Sequence, residues 1–451
     1  MLTGSTKTQW GYRHVILIVV WLIYIINFLD RMSVLTFLPY IQKDLKLSAV
    51  EVGWLGSIFF LGYSIAQFIA GYLADRIGAK RTMTWAIWIF TLATGLTGFV
   101  RNFVQFFFLR LGLALGEGQH FAPALRMLAN WFPREEKGRA TAFFSTSWSI
   151  APAITPIIAT QIAAVFFGGA WRPVFFILAI PGFVGIFILL KYTNDSPRAM
   201  YEKGKVRKEE YDLITSSIQD DSGVHGKTYS SRMFLTDIQF YLYTIGMVIG
   251  LMIFWGMNVW ITTFLVRQHG LDLKTMGFVA SLPYIVAILS VNLGGWMADK
   301  WFGGKAKVVA IISFLGCIPA LEFIGHVSKG QTAMLLLGLA AGGFFINLSW
   351  GVLYSFPSWR YPKELVGRVV GVSNGVGQIG AFISPLAASY LVITRPDKSY
   401  DFSRVFLFWS LLAAVGVIAF AFLNEKSVVD ASAFEVKAKS DLQIASVKQS
   451  G

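Results

Sequence analysis

The sequence contains little cysteine and few charged residues. One of its 451 residues is cysteine, Cys317, and 14% are charged. A single cysteine excludes a disulfide framework, a thiolate metal cluster and a Cys-x-x-Cys redox centre. By contrast, 55% of the residues are hydrophobic, 16% are aromatic, and the mean hydropathy is +0.58. These values lie far from those of a water-soluble domain and indicate a chain that lies largely in lipid.

The sequence also lacks the motifs of common enzyme sites. It has no His-Glu-x-x-His, no phosphate-binding loop and no nucleophile elbow. The string from Gly375 to Gly380 fits Gly-x-Gly-x-x-Gly, but it lies in an apolar run that no strand precedes. Close packing of helices explains these glycines better than dinucleotide binding does. We therefore expect a protein that is not an enzyme and that uses no cofactor and no metal.

Twelve apolar stretches are long enough to cross a membrane as helices, which takes roughly 20 residues each. They are 14–38, 52–74, 83–100, 103–128, 139–166, 173–191, 238–266, 275–298, 307–326, 332–356, 367–393 and 403–423. The first is too long for a cleavable signal peptide. We predict an all-α integral membrane protein with six-helix halves at 1–191 and 238–425, a cytoplasmic linker at 192–237 and a cytoplasmic tail at 426–451.

The net charge of +14 follows from the placement of the basic residues. If the N-terminus is cytoplasmic, the inner loops and tails hold 26 of the 39 Lys and Arg, and the outer loops hold 10. Because basic residues accumulate on the cytoplasmic side, we expect both termini there, in a multi-pass protein of the cell membrane. The charge then requires no nucleic-acid partner. We expect a monomer in the lipid bilayer.

Two polar sequences recur at about half the chain length. Residues 71–81 (GYLADRIGAKR) correspond to residues 295–305 (GWMADKWFGGK), and their aspartates are 224 residues apart. Residues 133–139 (PREEKGR) correspond to residues 362–368 (PKELVGR), 229 residues further on. A solvated basic turn would explain one such loop but not its recurrence at this offset. Two halves of equal topology predict a pseudo-twofold axis along the membrane normal and a binding site between the halves.

The paired loops and the twelve spans resemble the major facilitator superfamily, over the chain up to about residue 425. The resemblance implies transport by alternating access. It also implies that Asp75 and Arg76, with Asp299 and Lys300, form a cytoplasmic gate that latches the two halves together.

The charged residues that stand out within the predicted spans are Asp30, Arg31, Arg110, Glu117 and Arg126. Such a group costs about 2.5 to 3.5 kcal/mol in a membrane, so each is a candidate functional residue. Arg126 can extend to the cytoplasmic surface. The other four could form a buried ion-pair network that holds two helices together. Alternatively, two carboxylates and two guanidiniums are neutral together, and a proton can balance the charge of an incoming carboxylate.

A narrower resemblance comes from residues 27–31 (NFLDR), from Arg110 with Glu117 seven positions later, and from residues 131–133 (WFP). These resemble the anion:cation symporter branch, which includes bacterial sugar-acid/H⁺ symporters and sialin-like carriers. The resemblance implies that Asp30 and Glu117 are the protonatable pair, and that Arg31 and Arg110 engage the substrate anion.

Two features near these motifs concern the ligand. Phe28 occupies a position where many sugar-acid relatives carry tyrosine, which favours a less hydroxylated ligand, for example an aromatic or short-chain acid. His120, one turn from Glu117, could bind the substrate or cap the charged network.

The second half must also contribute polar groups to a site between the halves. Trp260, Asn374 and Gln378 are the preferred candidates, because the resembled family places side chains of these types at the substrate. Further polar residues of this half could equally pack helices together. They are Asn258, Thr263, Asn347, Ser349, Tyr354 and Ser373.

The sequence thus predicts a proton-coupled symporter that imports an organic carboxylate, a sugar acid or another small organic acid. An organophosphate/phosphate antiporter also needs paired arginines and stays an alternative, as does a transporter-like sensor that binds a ligand without moving it. Sodium could replace the proton. A cation exporter is disfavoured because Arg31 and Arg110 repel a cation.

Overall fold

The computed structural model describes residues 10–222, 229–397 and 399–427. These residues form helices and one short antiparallel hairpin. The helices are α1 Tyr12–Asp44, α2 Ala49–Ile77, α3 Ala79–Thr97, α4 Phe103–Glu117, α5 Phe121–Trp131, α6 Arg134–Ser145, α7 Ser147–Phe166, α8 Arg172–Tyr192, α9 Pro197–Tyr201, α10 Lys208–Ser222, α11 Arg232–Leu235, α12 Ile238–Arg267, α13 Leu273–Trp301, α14 Ala306–His326, α15 Thr332–Leu348, α16 Trp350–Leu353, α17 Phe356–Arg360, α18 Lys363–Leu391 and α19 Ser403–Ala421. The hairpin pairs β1 Ile393–Thr394 with β2 Tyr400–Asp401.

Side-chain caps fix several of the helix starts. The hydroxyl of Ser48 accepts a hydrogen bond from the backbone N–H of Glu51, and the Glu51 carboxylate accepts one from the backbone N–H of Ser48 at 2.8 Å. This capping box begins α2. Asn102 and Asp272 accept hydrogen bonds from the first turns of α4 and α13 in a similar way. Each cap satisfies backbone donors that a helix start leaves free.

Ten helical segments of the described chain are long and apolar enough to cross a membrane. The third and fourth predicted spans, which correspond to α3 and to α4 with α5, are not among them. α3 begins with basic residues and carries five threonines, and the fourth span is interrupted at residues 118–120. Pro123 accounts for that interruption, because it has no N–H to bond the carbonyl of Gln119. Pro357 likewise removes a bond to Leu353, where α16 ends.

The first and last groups of long helices pack in the same pattern. Among residues 12–192, α1 packs on α7 and α8, α2 on α4, and α3 on α4 and α8. Among residues 238–421, α12 packs on α18 and α19, α13 on α15, and α14 on α15 and α19. Each helix in the first set therefore has a counterpart with equivalent neighbours in the second.

Equivalent contacts also fix the starts of α3 and α14. Asp195, which follows α8, accepts a hydrogen bond from the backbone N–H of Lys80 at 2.8 Å. Glu425, which follows α19, accepts one from the backbone N–H of Lys307 at 3.0 Å. The Nζ atoms of both lysines donate to backbone carbonyls near the ends of α8 and α19, at 2.7 Å each. The sequence repeat is thus accompanied by a repeated local structure.

The two helix groups meet closely at one end of the bundle, which we name the hairpin end because β1 and β2 lie there. The hydroxyl of Thr262 in α12 donates to the carbonyl of Leu35 in α1 at 2.6 Å. Gly53 of α2 lies against α18, where an added Cβ would come within 2.6 Å of the Ser389 Cβ. At such a close approach only a residue without a side chain fits.

The opposite end, which we name the linker end, bears the repeated polar loops and residues 192–222 and 229–237. Asp75 forms an ion pair with Arg126, and the Arg76 guanidinium lies 4.7 Å from the Tyr72 ring centroid. Asp299 and Lys300 are exposed. Within the described residues, no ion pair joins residues 71–81 to residues 295–305, and Asp75 pairs instead with Arg126 of its own helix group.

A buried polar cluster stabilises the start of α12 at the linker end. Asp237 accepts hydrogen bonds from Arg360 Nη2 at 2.8 Å and from the Tyr361 hydroxyl at 2.7 Å, and its side chain is only 11% exposed. Partial burial opposes ionisation, but the bonds from Arg360, Tyr361 and the backbone of Gln239 outweigh it and lower the pKa of Asp237 below its usual value.

We therefore expect the Asp237 cluster to contribute stability that is present above about pH 4 and is lost as the pH falls through the lowered pKa. Asp237→Asn should cost about 2 kcal/mol at pH 7 and should remove part of the acid sensitivity. Thermal unfolding of purified protein between pH 7 and pH 3 measures both effects. Asp212→Asn, at an exposed position of α10, is the control. An equal loss on acidification in Asp237→Asn and the native protein would contradict this assignment.

Candidate functional site

The centre of the candidate site is a buried ion pair between α1 and α4. Arg31 contacts the same Glu117 oxygen, Oε2, through both Nε and Nη2, each at 2.8 Å. Arg31 is 3% exposed and Glu117 is fully buried. Glu117 is the last residue of α4, immediately before the interruption that Pro123 causes. The structure thus joins two of the four charged residues that the sequence singles out.

Aromatic rings from three helices surround the Arg31 guanidinium. Its central carbon lies 4.5 Å from the ring centroid of Phe28, 4.6 Å from Phe59, 4.7 Å from Tyr63 and 5.6 Å from Trp255. Rings at these distances attract a cation through their negative faces. Trp255 belongs to α12, so the second helix group completes the environment of an arginine in the first.

Arg110 lies near this pair without joining it. The central carbon of its guanidinium lies 4.8 Å from the ring centroid of Phe59, a ring that also contacts Arg31. Its Nε donates to the carbonyl of Leu55 at 3.2 Å. Nη1 is buried and has no hydrogen-bond partner among the described residues. In that part of the chain no carboxylate pairs with Arg110. It is therefore a buried cation that a ligand carboxylate could neutralise.

Asp30 does not join the ion pair, although Glu117 is the charged group that faces it. Consecutive residues on a helix differ by about 100° in direction, so Asp30 and Arg31 cannot face the same way. Thr94 of α3 is the polar side chain that faces Asp30. Both Asp30 oxygens are buried and lack a hydrogen-bond partner among the described residues. The four charges thus divide into one ion pair, one unpaired cation and one unpaired acid.

His120 lies in the interruption between α4 and α5. Its ring stacks on Tyr24 of α1, with centroids 5.4 Å apart and planes at 14°. It is fully buried, and neither ring nitrogen has a hydrogen-bond partner in the described chain. Stacking, rather than a bond to Glu117, is what positions this side chain.

Several aromatic residues of the site were not predicted from the sequence. Tyr24 lies seven residues before Arg31, which is two turns along the same face of α1. Tyr63 lies one turn after Phe59 on α2. These spacings are the signals that could have found the two tyrosines. Trp255 has no such signal, since its contact with Arg31 depends on how α12 packs on α1.

The predicted site residues of the second helix group lie in different environments. Trp260 is buried, and its Nε1 donates to the carbonyl of Pro385 at 3.0 Å, which ties α12 to α18. Asn258 is bonded to Phe254 and Tyr284, and Ser373 to Thr244. Gln378 is largely buried and Asn374 is partly exposed, on the same face of α18 one turn apart. These two amides are the better placed to meet a ligand, while Trp260 contributes to packing.

The sequence of this chain is similar to those of known membrane transporters. The sequence profile described as Major Facilitator Superfamily matches residues 20–385. The chain belongs to the major facilitator superfamily. It is 26% identical to a probable sulfoacetate transporter of Cupriavidus necator, with 93% of this chain and 95% of the relative covered. It is 27% identical to a probable galactarate/D-glucarate transporter of Escherichia coli K12, with 91% and 94% covered.

Solved structures of other proteins have the same fold as this chain. The crystal structure of a D-xylose-proton symporter matches with a TM-score of 0.73 and 15% identity, over 92% of this chain and 97% of that one. This major facilitator protein is thus a multi-pass membrane transporter and not an enzyme. Its relatives agree with the resemblance to the anion:cation symporter branch.

The Arg31–Glu117 pair gives a direct energetic prediction. Glu117→Leu should cost about 3 to 5 kcal/mol, because it leaves the Arg31 charge buried and unpaired. Adding Arg31→Met should restore most of that loss, since Met suits an aromatic pocket. Unfolding free energies of the two single variants and the double variant measure the coupling.

The matched control is the pair of Asp44 with Arg172, whose side chains are 46% and 33% exposed. Asp44→Asn should cost less than about 1 kcal/mol. A double variant no more stable than Glu117→Leu would show that the buried pair is not the source of the loss.

Proposed function

We propose that this transporter is a proton-coupled symporter that imports an organic carboxylate, a sugar acid or another small organic acid, by alternating access. The observation that carries the proposal is the uneven pairing of four buried charges. Arg31 and Glu117 neutralise one another, whereas Arg110 and Asp30 have no ionic partner in the described chain.

The charge balance explains why a proton would accompany the substrate. With all four groups ionised, the site is neutral before a ligand enters. A carboxylate bound at Arg110 adds one negative charge in a medium where uncompensated charge is costly. Protonation of Asp30 or Glu117 removes that charge. Because arginine stays protonated at any physiological pH, the carboxylates are the groups that can change state.

The roles of individual residues follow from this scheme. Asp30 and Glu117 carry the proton. Arg31 and Arg110 bind the substrate carboxylate, since a guanidinium offers two parallel donors to it. Gln378 and Asn374 contact the remainder of the substrate from α18, with Trp260 and His120 holding the surrounding helices. Asp75 and Arg76, with Asp299 and Lys300, form the gate at the linker end.

The names of the relatives support an anionic substrate. Sulfoacetate, galactarate and D-glucarate are small organic anions, and each carries at least one carboxylate. They differ greatly in hydroxyl content. The aromatic rings around Arg31, which include Phe28, favour a substrate with few hydroxyl groups in this transporter.

The architecture we propose completes the fold. α3 is the third span and α4 with α5 is the fourth, which gives twelve spans in halves at 1–191 and 238–425 with a linker at 192–237. Both termini and the linker end are cytoplasmic, and the protein is a monomer of the cell membrane. Contact at the hairpin end, with unlatched loops at the linker end, corresponds to an inward-facing state.

Proton coupling is tested by uptake into proteoliposomes under an imposed pH gradient. The radiolabelled substrate is chosen by a thermal-shift screen of sugar acids, aromatic acids and short hydroxy or sulfonated acids. Glu117→Gln should keep counterflow within about threefold but lose pH-driven accumulation, because the amide cannot release a proton. Arg31→Ala and Arg110→Ala should abolish the ligand-induced shift.

Glu202→Gln, at an exposed position, is the control for a change of charge alone. Unaltered pH-driven accumulation in Glu117→Gln would overturn the coupling role of Glu117. Counterflow with inorganic phosphate would instead indicate an organophosphate/phosphate antiporter. A ligand-induced thermal shift without any counterflow would indicate a sensor, and accumulation that follows a sodium gradient would replace the proton.

Membrane topology is tested by single cysteines, for which Cys317→Ser supplies the background. Arg101→Cys lies between α3 and α4, and Asp397→Cys lies in the hairpin. We expect an impermeant thiol reagent added to intact cells to label both, and to label Asp212→Cys in α10 only after permeabilisation. If α3 and α4 with α5 did not each cross the membrane, Arg101→Cys would be protected in intact cells.

A further inference from the structure

Four buried polar side chains of α1 and α3 make no hydrogen bond of normal length and angle among the described residues, although Thr94 lies within reach of Asp30. They are Asn27 and Asp30 on α1, and Thr91 and Thr94 on α3. Each is at most 2% exposed. Their unpartnered atoms are both polar atoms of Asn27, both oxygens of Asp30 and the two hydroxyls. Buried polar groups in folded proteins are nearly always bonded, so this concentration needs a physical explanation.

Helix geometry places these four side chains together. Residues three apart on a helix share a face, so Asn27 lies below Asp30, and Thr91 below Thr94. α1 and α3 both begin at the linker end and pack against one another. Thr94 faces Asp30, and the parallel course of the helices then brings Thr91 level with Asn27 one turn nearer the linker end.

Helix α8 closes the side next to Thr91. A Cβ added at Gly182 would lie 2.1 Å from the Thr91 hydroxyl oxygen. α8 packs on both α1 and α3. The polar group is therefore enclosed by three helices, and at this depth the described part of α8 offers it no titratable side chain. The charged residue facing Asp30 from α4 is Glu117, whose Oε1 is also unpartnered.

Water can form the hydrogen bonds that these atoms require in both protonation states of Asp30, whereas a fixed protein group cannot. A buried water makes about three hydrogen bonds, so roughly two waters would satisfy six polar atoms. Leaving such an atom unbonded is unfavourable, because its hydrogen bonds with water are lost and nothing replaces them. An ionised Asp30 requires donors, whereas a protonated Asp30 requires an acceptor. A water molecule can reorient to serve both states.

We propose that Asn27, Asp30, Thr91 and Thr94 form an internal water-binding site between α1 and α3, and that water held there is the group with which Asp30 exchanges its proton. Asn27 and Thr94 are positioning residues for this water. The use of that proton in transport rests on the proposed function, whereas the water site itself does not.

The test follows the Asp30 proton directly and needs no transported substrate. Full-length protein in lipid nanodiscs is transferred into D₂O, and infrared spectroscopy follows the carbonyl band of the protonated carboxyl group. The band belonging to Asp30 is the one that Asp30→Asn removes. Asn27→Leu and Thr94→Val should slow its hydrogen–deuterium exchange at least tenfold, because they remove the groups that hold the water.

Two variants serve as matched controls. Thr97→Val lies one turn along α3, where the native hydroxyl already donates to the carbonyl of Ala93 at 2.8 Å, and it should leave the exchange rate unchanged. Thr94→Ser keeps a hydroxyl and should exchange at the native rate. If Asn27→Leu does not fold, the comparison of Thr94→Val with Thr94→Ser decides the question.

Three results would overturn the proposal. One is native exchange in both Asn27→Leu and Thr94→Val. Another is the absence of any Asp30 band between pH 4 and pH 9, which would mean that this acid never holds a proton there. The third is loss of the band on adding sodium ions but not on adding choline, which would make the same oxygen atoms a cation site. A transporter that fails to carry carboxylates would leave all three readouts unaffected.

Discussion

The contact on which the rest of the site depends is the buried pair of Arg31 with Glu117. Each partner alone would be a costly charge within a lipid-embedded bundle, and together they join α1 to α4 at the point where the fourth span is interrupted. Because Glu117 pairs with Arg31, neither Arg110 nor Asp30 has an ionic partner in the described part of the chain. The asymmetry of the site is therefore a consequence of one pairing.

A second constraint is the contact between the two helix groups. At the hairpin end, α1 meets α12 through Thr262, and α2 meets α18 through Gly53, with room for no side chain there. At the linker end, Asp75 is held by Arg126 of its own group. Tight contact at one end and unengaged loops at the other are what a rocking movement between two groups requires. Trp255 of the second group also reaches Arg31, so the site contains side chains of both groups.

The charged residues of the site were predictable because such residues are rare in apolar spans. Arg31, Arg110 and Glu117 stand out because the surrounding sequence has few charges. In the structure both arginines contact the ring of Phe59, and Glu117 bonds to Arg31. Their pairing was not predictable in the same way. Asp30 and Arg31 are adjacent in sequence, yet Arg31 pairs with Glu117 of α4 whereas Asp30 lies beside Thr94 of α3. Likewise the sequence predicts Trp260 as a ligand contact, and only the structure shows that its indole N–H donates to the carbonyl of Pro385 and so ties α12 to α18.

The sequence by itself determined the class of the protein, the apolar spans, the repeated loops and the small set of intramembrane charges. These properties follow from composition and periodicity, since a helix that crosses lipid must be long and apolar, and charged residues within it are rare. Only the tertiary structure decided which charges pair, which aromatic rings surround Arg31, and which polar side chains of α1 and α3 are buried near one another. Those outcomes depend on the rotation and packing of helices whose contacting residues, such as Arg31 and Glu117, lie 86 positions apart. No local pattern in a sequence records such a rotation.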